Sequence, residues 1–138
     1  MKNKIIINDR DHLKTTIEQE VSIHGNNCDL NHLDVSKVKD MTCMFDNSSF
    51  NGDISKWNVY KVKNMNGMFF NSQFNKNLDD WKPYKLQAKE NMFDNCPALL
   101  PYWYIAENTQ RAIELYELKE KLDNNLDNKN ITKIRIKI

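Results

Sequence analysis

No charge of one sign dominates this chain. Twenty Lys and Arg face nineteen Asp and Glu, for a formal net charge of +1. Composition alone therefore signals neither a nucleic-acid binder nor an acidic mimic, and any electrostatic role must come from arrangement. Long apolar runs are missing too. Nothing approaches the roughly 18 apolar residues of a membrane span, and the opening MKNKIIINDRD lacks the apolar core of a secretory signal. The three cysteines are odd in number and at no disulfide-like spacing, which fits a reducing compartment. The expected location is cytoplasmic. GxSxG, P-loop and HExxH motifs are absent, and His12 has no Ser or Cys partner nearby, so no enzyme and no cofactor are expected. At 138 residues the chain has the length of a single domain, 1–138.

What the chain does have is a repeat of 24 residues. DVSKVKDMTCMFDNSSFNGDISKW (Asp34 to Trp57) overlays NVYKVKNMNGMFFNSQFNKNLDDW (Asn58 to Trp81) and matches Val38 with Val62, Met41 with Met65, Phe45 with Phe69, Phe50 with Phe74 and Trp57 with Trp81. Asn47, Asn71 and Asn95 share another position, as expected of a structural asparagine ladder that satisfies backbone groups at a turn. A period of this size across so many apolar positions predicts an α/β fold, a short leucine-rich-repeat-like solenoid of about three coils. Leu30, Ile54 and Leu78 are its expected inward strand residues, and the segments Val38 to Phe45 and Val62 to Phe69 its short helices.

Caps are expected on both sides, because the ends of such an array are apolar. Residues 1–27 read as a β-α cap: a strand at Ile5 to Ile7, then a helix started by Asp9 or Asp11, carrying Leu13, Ile17 and Val21 and stopped by Gly25. The repeats occupy 28–100. The third repeat decays, with Pro83 replacing a valine and Lys89 standing where Met41 and Met65 stood. Residues 101–138 read as an α-β cap. Its helix is capped by Asn108 or Thr109 and carries Leu115, Leu118, Leu122 and Leu126, with Glu117 and Lys121 paired outside. A loop over Asp123 to Asn130 and a strand of alternating Ile134, Ile136 and Ile138 follow.

The phrases DVSKVKDMTCMF, FNGDISKWNVYKVKNMNGMF and FNKNLDDW resemble the repeat of the BspA-like leucine-rich repeat surface proteins, also found in mycoplasma lipoproteins, over about residues 29–99. The resemblance implies a leucine-rich-repeat-like array and protein or surface binding without catalysis.

The most distinctive surface signal is a lysine ladder. Lys37, Lys61 and Lys85 share one repeat position, Lys39 and Lys63 another, and Tyr60 and Tyr84 lie beside them. Stacking brings these like charges together, which folding alone does not ask for, and tyrosines are common anchors of interfaces. A second candidate surface is the open strand face, with Asp53, Ser55, Asn77 and Asp79 pointing outward. His24, Cys28 and His32 form H-x3-C-x3-H with Cys43 as a conceivable fourth ligand, but this spacing matches no common zinc module and no metal is expected. The reading is a non-catalytic module of a bacterial cell that binds a partner protein. Alternatives are a phage or mobile-element inhibitor of a host complex and a nucleic-acid binder using the lysines.

Overall fold

The computed structural model describes residues 2–129. The described chain begins with a short strand, β1 (Ile5–Ile6), and continues into helix α1 (Arg10–His24). Asp9 caps α1: its carboxylate accepts the His12 amide at 2.9 Å and satisfies one of the donors that a helix leaves free in its first turn. Leu13 and Ile17 are buried, and Gly25, at φ +90°, ends the helix in a conformation that strains any other residue. The second strand, β2 (Leu33–Asp34), lies parallel to β1 with Ile5 opposite Leu33. Of the three isoleucines only Ile7 is buried, and Ile6 is 53% exposed. β1 is thus an edge with one covered side.

Residues 35–101 contain no named helix or strand. They form units of tight turns laid one on the next. The amides of Met41, Cys43, Phe45 and Asn47 donate to the carbonyls of Asn64, Asn66, Met68 and Phe70 at 2.8–3.0 Å. One unit further on, Met65, Gly67, Phe69 and Asn71 donate to Ala88, Glu90, Met92 and Asp94 at the same distances. Each unit reverses direction on two left-handed residues: Cys43 and Asn47, Gly67 and Asn71, Asn91 and Asn95. Glycine adopts that conformation freely and asparagine tolerates it, and two such residues four positions apart keep helix and strand from propagating.

The expected α/β leucine-rich-repeat-like solenoid is therefore corrected. Among the described residues there are three helices and one two-stranded parallel sheet. The strands around Leu30, Ile54 and Leu78 and the helices over 38–45 and 62–69 do not form. The cause is local. Asp29, Asp53 and Asn77 fold their side chains onto the amides of Asn31, Ser55 and Asp79 at 2.8, 2.9 and 2.7 Å. These Asx turns bend the chain where a strand needs it extended.

Aromatic rows hold the interior together. Phe45, Phe69 and Phe93 stack with ring centroids 5.5 and 5.3 Å apart. Trp57 and Trp81 stack at 6.2 Å, and a third indole, Trp103, continues the row at 6.4 Å. The three indole N–H groups donate to the carbonyls of Leu30, Ile54 and Leu78, each at 2.9 Å. Burying each indole with its one polar group satisfied keeps both the apolar gain and the register. Trp103 sits on helix α2 (Tyr102–Ile105), two residues before the place the repeat would put it.

The last helix, α3 (Thr109–Lys129), follows directly. Asn108 caps it, accepting the Arg111 amide at 2.9 Å. Ile113 is buried, but every residue from Leu118 to Leu126 is exposed, so the second half of α3 projects past the stacked units. The loop expected over 123–130 is helix as far as Lys129; the strand expected at Ile134 to Ile138 lies outside the described residues.

Candidate interaction surface

Backbone bonds between units fix the surface rows. The Lys63 amide donates to the Lys39 carbonyl at 2.7 Å and the Gln87 amide to the Lys63 carbonyl at 2.8 Å. Lys39 and Lys63 are thus neighbours, and a glutamine takes the third place. Lys37, Lys61 and Lys85 are all exposed. Tyr60 is 47% exposed, its ring centroid 5.7 Å from that of Tyr84, and the Lys85 ammonium lies 5.7 Å above the Tyr60 ring. That contact places a cation on an aromatic face and spaces one lysine of the row.

Tyr84 differs from the expectation. It is half-buried, and its hydroxyl donates to Glu117 on α3 at 3.1 Å. Burial and the nearby carboxylate push its phenol above the usual value. Glu117 therefore bonds Tyr84 and forms no ion pair with Lys121. The Gln110 side chain also donates to the carbonyls of Tyr84 and Leu86, at 2.9 and 3.0 Å. The open part of the ridge is accordingly Lys37, Lys39, Tyr60, Lys61, Lys63 and Lys85, with Tyr84 as its wall against α3.

No sheet forms under the second predicted surface, so it is not a strand face, although Asp53 and Asn77 remain exposed. Asp53 accepts the Ser55 amide and hydroxyl, which together with the Asn31 side chain hold its carboxyl below the usual range. Asn77 caps the Asp79 amide, and Asp79 in turn faces the Tyr102 amide at 3.4 Å. Asp53, Ser55, Asn77 and Asp79 are turn-forming residues.

Of H-x3-C-x3-H, His32 turns toward Glu20, with Nε2 2.6 Å from the carboxylate, while its Nδ1 is buried without a partner. His24 is exposed at the end of α1. Among the described residues no three His, Cys, Asp or Glu side chains are grouped to hold a metal ion. A cleft of about 450 Å³ runs past His32 between Lys2, Lys4, Asp34 and Lys56. Lys4 pairs with Asp34 there at 3.1 Å. The Cys96 thiol lies 3.1 Å from the Phe74 carbonyl, and burial raises its pKa.

Two features escaped the sequence reading. Lys89, standing where the earlier units have methionine, sends its ammonium to the carbonyls of Tyr104 at 2.7 Å and Ala106 at 2.6 Å and to the Thr109 hydroxyl at 3.1 Å. The charge in an otherwise apolar column was the available signal. Leu115, Leu118, Leu122 and Leu126, expected to help seal the end, are 47–55% exposed. A groove of about 300 Å³ separates Tyr84 from Leu115 and Leu118.

The comparisons with known proteins identify a family but no activity. The family described as "Mycoplasma protein of unknown function, DUF285" matches residues 13–129. No curated protein and no solved structure matches the chain.

Proposed function

The chain belongs to this family of mycoplasma proteins of unknown function, and from its geometry we propose that it is a non-catalytic scaffold that binds a partner protein through the lysine-tyrosine ridge. The observation that carries the reading is the Tyr60 platform. A half-exposed ring, flanked by Tyr84 and overlain by the Lys85 ammonium, stands on backbone whose register is fixed by unit-to-unit bonds. Such a group loses little side-chain freedom on docking, and a rigid aromatic beside unpaired cations is the composition of an interface anchor. The partner chemistry that fits is an acidic protein surface. Protein or surface binding is also what the likeness to BspA-like repeats implies.

The test is affinity capture from the native cell with mass spectrometry, run with the wild-type chain, with Tyr60→Ala, and with Lys37, Lys61 and Lys85 changed together to Glu. The expected result is one protein retained by the wild type and lost from both variants. Retention by both variants removes the ridge. Loss from the lysine variant alone, with binding that falls steeply as salt rises, points to a polyanion such as nucleic acid in place of a protein.

A further inference from the structure

The cleft beside His32 shares no residue with the ridge, and its chemistry is different. At about 450 Å³ it falls within the roughly 300–1,000 Å³ of small-molecule sites. Three lysines line it: Lys2 and Lys4 from the β1 side, and Lys56 from the next unit. One acid, Asp34, lines it too. That carboxylate is already engaged, with Lys4 at 3.1 Å and with the Ser36 amide and hydroxyl at 3.0 and 2.6 Å. Lys2 donates to the Asp29 carbonyl at 3.1 Å, which leaves its ammonium two further hydrogens. Lys56 has no ion pair among the described residues, though it lies near enough to Asp53 to help hold that carboxyl below the usual range. With Lys4 balanced by Asp34, the charges of Lys2 and Lys56 are left over.

We infer that this cleft binds a phosphate monoester carried on a small hydroxylated body, such as a sugar phosphate. A monoester brings a charge of about −1.5 to −2 at neutral pH and three acceptor oxygens, which match the two spare ammonium groups. Asn58 adds a neutral donor: its Oδ1 accepts the Tyr60 amide at 3.1 Å, and its side-chain nitrogen is free among the described residues. The rest of the wall indicates the body. No Phe, Tyr or Trp lines the cleft, so a nucleobase would have no ring to stack on. His32 instead supplies an unmet polar atom. Its side chain is only 9% exposed, and its Nε2 lies 2.6 Å from a Glu20 carboxylate oxygen, which accepts and does not donate. The ring hydrogen is therefore on Nε2. In the neutral ring Nδ1 is then an acceptor, buried without a partner among the described residues, and the hydroxyl of a ligand is the donor it lacks.

The inference does not rest on the ridge binding anything, and the two fail separately: ridge variants leave Lys2, His32 and Lys56 untouched, and cleft variants leave Tyr60 untouched.

Isothermal titration calorimetry on the full chain at low salt tests it, with glucose 6-phosphate, inorganic phosphate and glucose as probes and circular dichroism to show that each variant folds. Glucose 6-phosphate should bind saturably, inorganic phosphate about tenfold more weakly, and glucose not at all. Lys56→Gln, at an exposed position, should weaken glucose 6-phosphate about tenfold, and Lys2→Gln by a similar factor. His32→Phe, which keeps a ring but no polar atom, should bring glucose 6-phosphate down to the affinity of inorganic phosphate. Lys61→Gln, on the ridge, should change nothing. Absence of saturable glucose 6-phosphate binding up to about 10 mM overturns the inference. An equal loss in Lys61→Gln and Lys56→Gln also overturns it, because the attraction would then be diffuse and not that of the cleft. Equal affinity for inorganic phosphate and glucose 6-phosphate, or a His32→Phe variant that binds as the wild type does, overturns the hydroxylated body.

Discussion

The two ends of the stacked turns meet the same problem with opposite chemistry. At the leading end, the carbonyls of Thr42 and Met44 have no earlier unit to donate to them. In the next unit the equivalent carbonyls, Asn66 and Met68, accept amides from the unit before. Arg10 and Lys14 of α1 fill the vacancy: the guanidinium donates to Thr42 at 2.9 and 2.6 Å, and the ammonium to Met44 at 3.1 Å. Helix α1 thus stands in for a missing unit by offering donors. At the trailing end the direction reverses. Lys89 belongs to the last unit and reaches outward, into carbonyls of the α2 segment. The amides of Asn91, Phe93 and Asn95, whose counterparts all donate onward in earlier units, meet no acceptor among the described residues. That end is closed by Trp103 on Trp81 and by the edge of Tyr104 on Phe93, 4.9 Å between centroids. The leading end is closed by cations of α1 on free carbonyls, the trailing end by aromatic contact together with the half-buried Lys89 and the Gln110 side chain. This asymmetry follows from the segment 41–47 and its counterparts, where every unit-to-unit amide donates to the following unit.

Substitutions at the two ends sharpen that contrast. The largest effect is expected at the leading side, from Gly52→Ala. A methyl group there would sit 1.8 Å from the Cys28 carbonyl oxygen and 2.8 Å from the Phe50 ring, and backbone cannot yield as a flexible side chain does. A loss of about 3 kcal/mol in urea unfolding is expected; a loss below about 1 kcal/mol would show that the first unit is not held as tightly as described.

At the trailing end, Lys89→Met restores the residue of the earlier units but leaves the carbonyls of Tyr104 and Ala106 unpaired, and should cost about 2 kcal/mol. Burial also lowers the pKa of this ammonium from its ordinary 10.5. The unfolded chain therefore holds the proton more tightly, and stability should rise with pH between the lowered value and 10.5. The methionine variant should lack that rise. Equal stability of variant and wild type would mean that aromatic packing alone closes this end.

A smaller effect belongs to Asp34, beside β1. The Ser36 hydroxyl and amide and the Lys4 ammonium hold its carboxyl down to about 2, from 3.8. Its contribution is present in full above 3.8 and disappears as pH falls toward 2. Asp34→Ala should cost about 1 kcal/mol at neutral pH. Unfolding at a series of acid pH values should show the difference closing over that interval.

Much of this comparison was legible beforehand, and the rest was hidden for identifiable reasons. The period placed Leu30, Ile54 and Leu78 inside, aligned the phenylalanines and tryptophans, and set Asn47, Asn71 and Asn95 in one row. The structure links those asparagines side chain to side chain at 3.2 and 2.8 Å. Of the two candidate caps, Asp9 starts α1 and Asp11 lies in its first turn, while Gly25 ends it as expected, because capping is local chemistry. The strands were misread because apolar residues flanked by polar ones also describe a chain that turns back through Asx bends, and periodicity cannot separate the two. The αL sites were visible as Gly67 and the asparagines, but Cys43 in the same conformation, φ +53°, disguised the pattern. On α3, the leucine spacing predicted the helix correctly. It did not say which side would be covered, since that depends on how much interior the units leave open.

Amide hydrogen exchange resolved residue by residue tests the ladder most directly. Met41, Cys43, Phe45 and Asn47, together with Met65, Gly67, Phe69 and Asn71, should exchange slowly and as one group, through global opening. Asn91 and Asn95, equivalent in sequence but without acceptors, should exchange faster by orders of magnitude. Equal protection in all three units, or rapid exchange from 41 to 47, would contradict a stack held together by directed bonds from each unit to the next.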